Sequence, residues 1–182
     1  GKTTLVDHLL EKTGEVKSAG SVEDGTSDGD FDDVEKTHKY TVESTVAHFD
    51  HGGLRFNIID TPGYPDFIGQ AVGALQGVDT AVIAIDAHAG IAVNTRRMFA
   101  EAGKAGLGRM IVITKMDTDN IDFPGLIASI REMFGEGCTP INLPIGSGAD
   151  FKGVVNLLDP SASGEGAEDI VRVERNPADP SL

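Results

Sequence analysis

A mostly parallel α/β sheet with helices on both faces and one antiparallel edge strand is the fold this sequence predicts. Three observations predict it. Short apolar runs, 54–59 (LRFNII), 80–85 (TAVIAI) and 109–113 (RMIVI), are continuous rather than alternating, as in strands buried on both faces. Helical patterns separate them, which is the rhythm of parallel strands joined by crossovers. Polar words close two of those runs, where ligands sit in sheets of this kind.

Taken in order, residues 3–13 (TTLVDHLLEKT) place Leu5, Val6, Leu9 and Leu10 on one helical face, with Gly14 as the stop. Residues 14–39 are rich in Gly, Ser and Asp and lack periodicity, so they read as a long functional or disordered loop. Residues 41–50 and 54–59 form two strands joined by His51-Gly52-Gly53, a hairpin and the antiparallel edge. Helices follow at 66–77, 92–105 and 124–134, around the strands at 80–85 and 109–113. From 140 the rhythm changes. Segments 140–145 and 151–158 suggest short strands of a second module, and 159–182 reads as a loop rich in Ser, Gly, Pro and acidic residues.

Composition narrows the functions. The chain has 182 residues, 40% apolar and 24% charged, a soluble globular balance with room for a sizeable core. No apolar run is long enough to span a membrane. One cysteine, Cys138, allows no internal disulfide and fits a reducing, cytoplasmic setting. A net charge of −14 argues against direct nucleic-acid binding by this acidic segment, because phosphate contacts need clustered Lys and Arg. The histidines (8, 38, 48, 51 and 88) show no metal-ligand spacing, and acidic pairs such as Glu23-Asp24 and Asp32-Asp33 read as solvated loop charge.

Three short words carry the chemistry. Gly1-Lys2-Thr3-Thr4 opens a helix, where free N–H groups and the helix dipole favour an anion. Lys2 reaches β- and γ-phosphates in such a loop, and the Thr3 hydroxyl binds Mg2+. Asp60-Thr61-Pro62-Gly63 follows the strand at 54–59. Asp60 there holds Mg2+ through water, and Gly63 lets its backbone N–H approach a γ-phosphate. A plain Pro-Gly turn is the alternative. Thr114-Lys115-Met116-Asp117 follows the strand at 109–113 and resembles the guanine-reading N-K-x-D word, with Thr114 in place of Asn. In that word the Asp accepts two guanine N–H groups and the Lys stem lies along the base. A threonine cannot copy the span of the amide, so guanine selection by Asp117 and Lys115 is expected to rest mainly on Asp117, with a strand end of ordinary polar residues as the alternative. Together these words make the fold a phosphate-loop NTPase with GTP or GDP as ligand and Mg2+ as cofactor.

The motifs extend into longer likeness. GKTTLVDHLLEKTGEV, IIDTPGYPDFIGQAVGALQGVDTAVIAIDAHAGI and NLPIGSGADFKGVVNLL resemble the GTPase domain of elongation factor G and its paralogues over nearly the whole chain. With DTPGY and TKMD, the sequence looks like the divergent bacterial branch of that family. The resemblance implies GTP hydrolysis on the ribosome during translocation, with the ribosome as partner of the full-length protein. It also implies domain limits: residues 1–139 as the GTP-binding domain, and 140–182 as the start of the insert that elongation factor G carries. The glycine and strand that open the full phosphate loop are not in the sequence, so the chain reads as a piece of a longer protein. That strand lies mid-sheet in this fold, and the expectation for the piece alone is poor folding and weak nucleotide binding.

Two departures bear on mechanism. Most members of the family have His after D-T-P-G, where it positions the attacking water; here Tyr64 stands. A phenol orients water but accepts protons poorly near neutrality. Tyr64 therefore supports slow or ribosome-dependent hydrolysis, or simply packs beside Pro65. Switch one, R-G-I-T-I in the family, is His38-Lys39-Tyr40-Thr41-Val42 here. Thr41 is retained and is assigned to Mg2+, with a strand-opening threonine as the alternative. Three other functions stay in view: a ribosomal protection or release-type GTPase, a GTP-binding regulator with little intrinsic hydrolysis, and an ATP-using phosphate-loop enzyme. Lys115 and Asp117 disfavour the last.

Overall fold

The computed structural model describes residues 1–17 and 44–158. Thr41, His38, most of the loop at 14–39, the acidic pairs within it, and the segment 159–182 lie outside the described residues. The chain divides into two compact units, Gly1–Thr114 and Lys115–Leu182.

The first unit runs α1 (Lys2–Thr13), β1 (Thr45–His51), β2 (Leu54–Asp60), α2 (Ile68–Ala74), β3 (Thr80–Asp86), α3 (Val93–Lys104) and β4 (Gly108–Thr114). Helix α1 stops where the sequence expects. Gly14 adopts φ 84°, and the Gly14 and Glu15 N–H groups return to the carbonyls of Glu11 (3.0 Å) and Leu10 (2.9 Å). A left-handed residue at that position suits glycine, which has no Cβ to clash. The buried face of α1 is not the expected apolar stripe. Thr3, Asp7 and Leu10 are its buried residues, while Leu5, Val6 and Leu9 are half-buried. Two of those three buried side chains are polar, so the innermost face of the helix serves more than the core.

The hairpin forms, and among the described residues its first strand runs Thr45–His51. Strands β1 and β2 pair antiparallel from Thr45↔Asp60 to His51↔Leu54. Gly52 (φ 59°) and Gly53 (φ 78°) make the connection. Two positive φ values in a two-residue turn match the twist of the flanking strands, and glycine takes them without strain. Residues opposite one another share a face, so Thr45, Ala47 and Phe49 lie with Asp60, Ile58 and Phe56. Phe49 and Phe56 stack there, ring centres 5.0 Å apart. Helix α1 packs against both strands.

The helix expected at 66–77 is broken into a 3₁₀ turn (Pro65–Phe67), α2 and a second 3₁₀ turn (Leu75–Gly77). Pro65 has no N–H to give and fixes its own φ, and tight 3₁₀ turns are common at helix ends. Strands β3 and β4 pair parallel, Thr80↔Gly108 through Asp86↔Thr114. Helix α3 packs on both. It buries Phe99 and Ala102, and the Arg109 guanidinium lies over the Phe99 ring at 4.2 Å.

One expectation needs correction. The described strands form three two-stranded sheets, β1-β2, β3-β4 and β5-β6, rather than one mostly parallel sheet. Among the described residues, strand β2 does not bond to β3. Apolar runs specify that strands form, but a sheet also needs each edge to meet a backbone partner.

The second unit contains α4 (Phe123–Phe134), β5 (Asn142–Ile145) and β6 (Gly153–Asn156). Asp122 caps α4 by accepting the Gly125 N–H at 3.0 Å, and Pro124 occupies the first turn, both favourable at a helix start. Strands β5 and β6 form an antiparallel hairpin, Asn142↔Asn156 to Ile145↔Gly153. Met116, Leu126, Ile130 and Val155 are buried in this unit. Gly146 turns the chain out of β5 at φ 74°, and a Cβ there would run into the Asp150 carbonyl. Gly146→Ala is therefore expected to destabilise this unit by about 1–3 kcal/mol. A thermal melt of the full-length variant checks it; an unchanged melt would mean the turn relaxes freely.

Candidate nucleotide site

Helix α1 begins at the phosphate-loop word. Gly1 precedes its first turn, and the Leu5 N–H bonds the Gly1 carbonyl at 3.0 Å. The N–H groups of the first turn lack partners within the helix, which makes this end a potential anion seat. Thr4 is half-buried there and its hydroxyl accepts from the Gly1 nitrogen at 3.2 Å.

Asp60 closes β2 and is buried. Its Oδ2 accepts the Thr3 hydroxyl at 2.6 Å, so two words fifty-seven residues apart meet in one bond. Burial pushes the Asp60 carboxyl above its ordinary range. The Thr3 bond, the Lys2 charge and the Thr61 N–H oppose that rise. Burial likewise lowers Lys2, and Asp60 partly restores it. Each group is charged at a cost that its partner only partly offsets.

Lys2 extends to the DTPG turn. A Cβ at Gly63 would lie 2.6 Å from Lys2 Nζ, so only glycine leaves the ammonium where it is. Gly63→Ala would meet the free end of a flexible side chain, not backbone. The expected result is an unchanged melt and GTP binding weakened about 10-fold, read by nucleotide titration of the full-length variant. Equal affinity would mean that Lys2 does not need that position.

Lys2, Thr3, Asp60 and Gly63 are thus brought together in the first unit. Tyr64 follows directly, exposed (53%), and opens the 3₁₀ turn through its carbonyl, which accepts the Phe67 N–H at 3.1 Å. Thr114 closes β4. Its hydroxyl donates to the Ile85 carbonyl at 3.3 Å and its carbonyl accepts the Ala87 N–H at 2.9 Å, tying β4 to β3. Lys115 and Asp117 belong to the second unit, where both are exposed while Met116 between them is buried. The Met116 carbonyl accepts the Gly148 N–H at 3.0 Å. Lys115 takes φ 60°, a conformation non-glycine residues rarely hold, and such outliers gather at functional positions. Thr41 lies outside the described residues.

Sequence reasoning missed three neighbours of these words. Asp7, one turn beyond Thr3, is buried on α1. Gly148 braces the Met116 carbonyl at φ 58°. Thr45, opposite Asp60, carries a buried hydroxyl. A buried acid within a GKTT helix could have been suspected from its i+4 spacing to Thr3; the other two depend on pairings that no local pattern reveals.

The family model for the elongation factor Tu GTP-binding domain matches residues 1–163. The chain belongs to that family. It is therefore a GTP-binding domain of the translational GTPases. Among its relatives, peptide chain release factor 3 of Streptococcus mutans is 36% identical over 164 residues, covering 87% of this chain and 32% of that protein. Release factor 3 of Streptococcus uberis is 37% identical over 161 residues, covering 86% and 31%. The chain thus spans about a third of the length of these relatives. A crystal structure of a Thermus thermophilus protein superposes with TM-score 0.81 at 40% identity, covering 86% of this chain and 23% of that one. This likeness fits a GTPase fold for the elongation factor Tu-type domain, although its described sheets are small.

Proposed function

We propose that this chain binds and hydrolyses GTP as the nucleotide domain of a translation factor acting on the ribosome. The observation that carries it is the bond between Thr3 Oγ1 and Asp60 Oδ2, with Lys2 beside both. A hydroxyl and a carboxylate are hard oxygen donors, and Mg2+ commonly takes one or two protein oxygens and completes its shell with water and phosphate. The donor set therefore fits Mg2+, and no cluster of three or more His, Cys, Asp or Glu competes for a metal among the described residues. The cation would neutralise phosphate charge when bound. Lys2 and the first-turn N–H groups hold the phosphates. Gly63 leaves room for the lysine and for a terminal phosphate, Tyr64 stands where the attacking water would be oriented, and Asp117 with Lys115 reads guanine. Thr41 completes the cation site from switch one.

In this reading residues 1–139 form the GTP-binding domain and 140–182 begin an insert. The leading role is translocation in the manner of elongation factor G, supported by the three stretches that resemble that family. A second role, peptide release, is favoured by the release factor 3 relatives at 36–37% identity. Either acts in the cytoplasm, and no described helix is long and apolar enough to cross a membrane. The test is phosphate release by the full-length protein with and without ribosomes. Strong stimulation supports the reading, and pre-translocation against release complexes then separates the two roles. Tight GTP binding with no turnover in any condition would leave a binding switch instead.

A further inference from the structure

Thr45 Oγ1 is buried, and no protein group among the described residues satisfies it. An unmade buried hydrogen bond of this kind costs stability, and valine would fill the same volume in a strand without that cost. A β-forming role alone therefore does not account for threonine here.

Its place does. Thr45 pairs directly with Asp60 in the β1–β2 ladder, so both side chains leave the same face, with Cβ atoms about 5 Å apart. Asp60 already takes the Thr3 hydroxyl at Oδ2 and the Thr61 N–H. Thr45 thus stands beside the carboxylate that the proposed function gives to Mg2+. Hydrated Mg2+ keeps several of its waters, and each water brings protons that need acceptors. A hydroxyl both accepts and donates, so it can hold such a water and pass a hydrogen bond to the carboxylate.

We propose that Thr45 is a positioning residue of the cation site: its buried, unsatisfied hydroxyl anchors a water between the cation and Asp60. The inference rests on the GTP–Mg2+ reading and gives Thr45 an outer role distinct from the switch-one threonine, Thr41. Groups around a metal's direct ligands fix the orientation of those ligands, and losing one typically weakens metal affinity about 10-fold or more.

The experiment uses the full-length protein, Thr45→Val and Thr45→Ser. A fluorescent guanine nucleotide is titrated across Mg2+ concentrations, and melting is followed with neither nucleotide nor Mg2+. The expected result for Thr45→Val is a half-saturating Mg2+ concentration raised about 10-fold, with the ligand-free melt unchanged or higher because an orphan hydroxyl is gone. Thr45→Ser restores the Mg2+ response. A Thr45→Val response equal to wild type overturns the inference. So does a lower ligand-free melt with binding weakened equally at every Mg2+ concentration, which would mark a packing role. Wild-type binding that ignores Mg2+ would overturn the GTP–Mg2+ reading itself, an outcome visible before any variant is compared.

Discussion

Lys2→Ala in the full-length protein is expected to weaken GTP binding about 100-fold or more while leaving the protein folded, with a ligand-free melt equal to or modestly below wild type. The two effects have one cause. The Lys2 ammonium is partly buried beside Asp60, and desolvation pulls its pKa down. Without phosphate, burying that charge costs free energy which the Asp60 attraction offsets only in part. With phosphate, the same ammonium meets opposite charge at close range, and charge-assisted bonds are the strong ones. Truncation removes the burial cost of Lys2 from the free protein but also the charge that opposes the rise of the buried Asp60 carboxyl, so the melt changes little, whereas the complex loses the attraction outright. Calorimetric titration and a ligand-free melt read the two sides separately. A loss of binding below about threefold would show that the phosphates do not meet Lys2; a collapsed melt would show that Lys2 is chiefly structural.

Asp117→Asn is expected to lower GTP affinity about 100-fold or more and to shift preference toward xanthine nucleotides. Asp117 is exposed beside a buried Met116, and Lys115 before it is held at φ 60°. Two exposed polar side chains thus flank one that is buried. A carboxylate accepts from the paired N–H groups of guanine and offers no donor. The amide of Asn can donate to the extra carbonyl of xanthine, and it loses one of the two guanine bonds. A site built on such bonds rejects the analogue that leaves a polar group unmatched. Competition between GTP and XTP measures the switch. An unchanged preference would sink the guanine assignment for Thr114-Lys115-Met116-Asp117.

The sequence made some of this legible and hid the rest for physical reasons. The Gly52-Gly53 pair announces the hairpin turn because the required positive φ values belong to glycine. Gly14 announces the end of α1 for the same reason. The apolar stripe Leu5, Val6, Leu9 and Leu10 misleads. Periodicity assumes that buried means apolar, whereas α1 buries Thr3 and Asp7. The segment 66–77 carries a helical pattern, but Pro65 and Gly77 favour tighter turns at its two ends. Strand positions follow from local runs. Pairing into a single sheet depends on neighbours distant in the chain, and the described strands pair only two by two.

The candidate site follows the same division. Lys2, Thr3, Asp60 and Gly63 could be named because each belongs to a short word whose residue types the chemistry requires. Their assembly is visible in the Thr3–Asp60 bond and in the space Gly63 leaves for Lys2 Nζ. Thr45 carries no such signal. In sequence it is a threonine opening a strand, and only the register opposite Asp60 and the unsatisfied hydroxyl suggest a role.

The most direct measurement is equilibrium GTP binding to the full-length protein, with ATP as competitor and Mg2+ present or chelated. The account expects GTP to bind at least about 100-fold more tightly than ATP, and chelation to weaken that binding sharply. ATP competing on equal terms, or GTP binding indifferent to chelation, would contradict it.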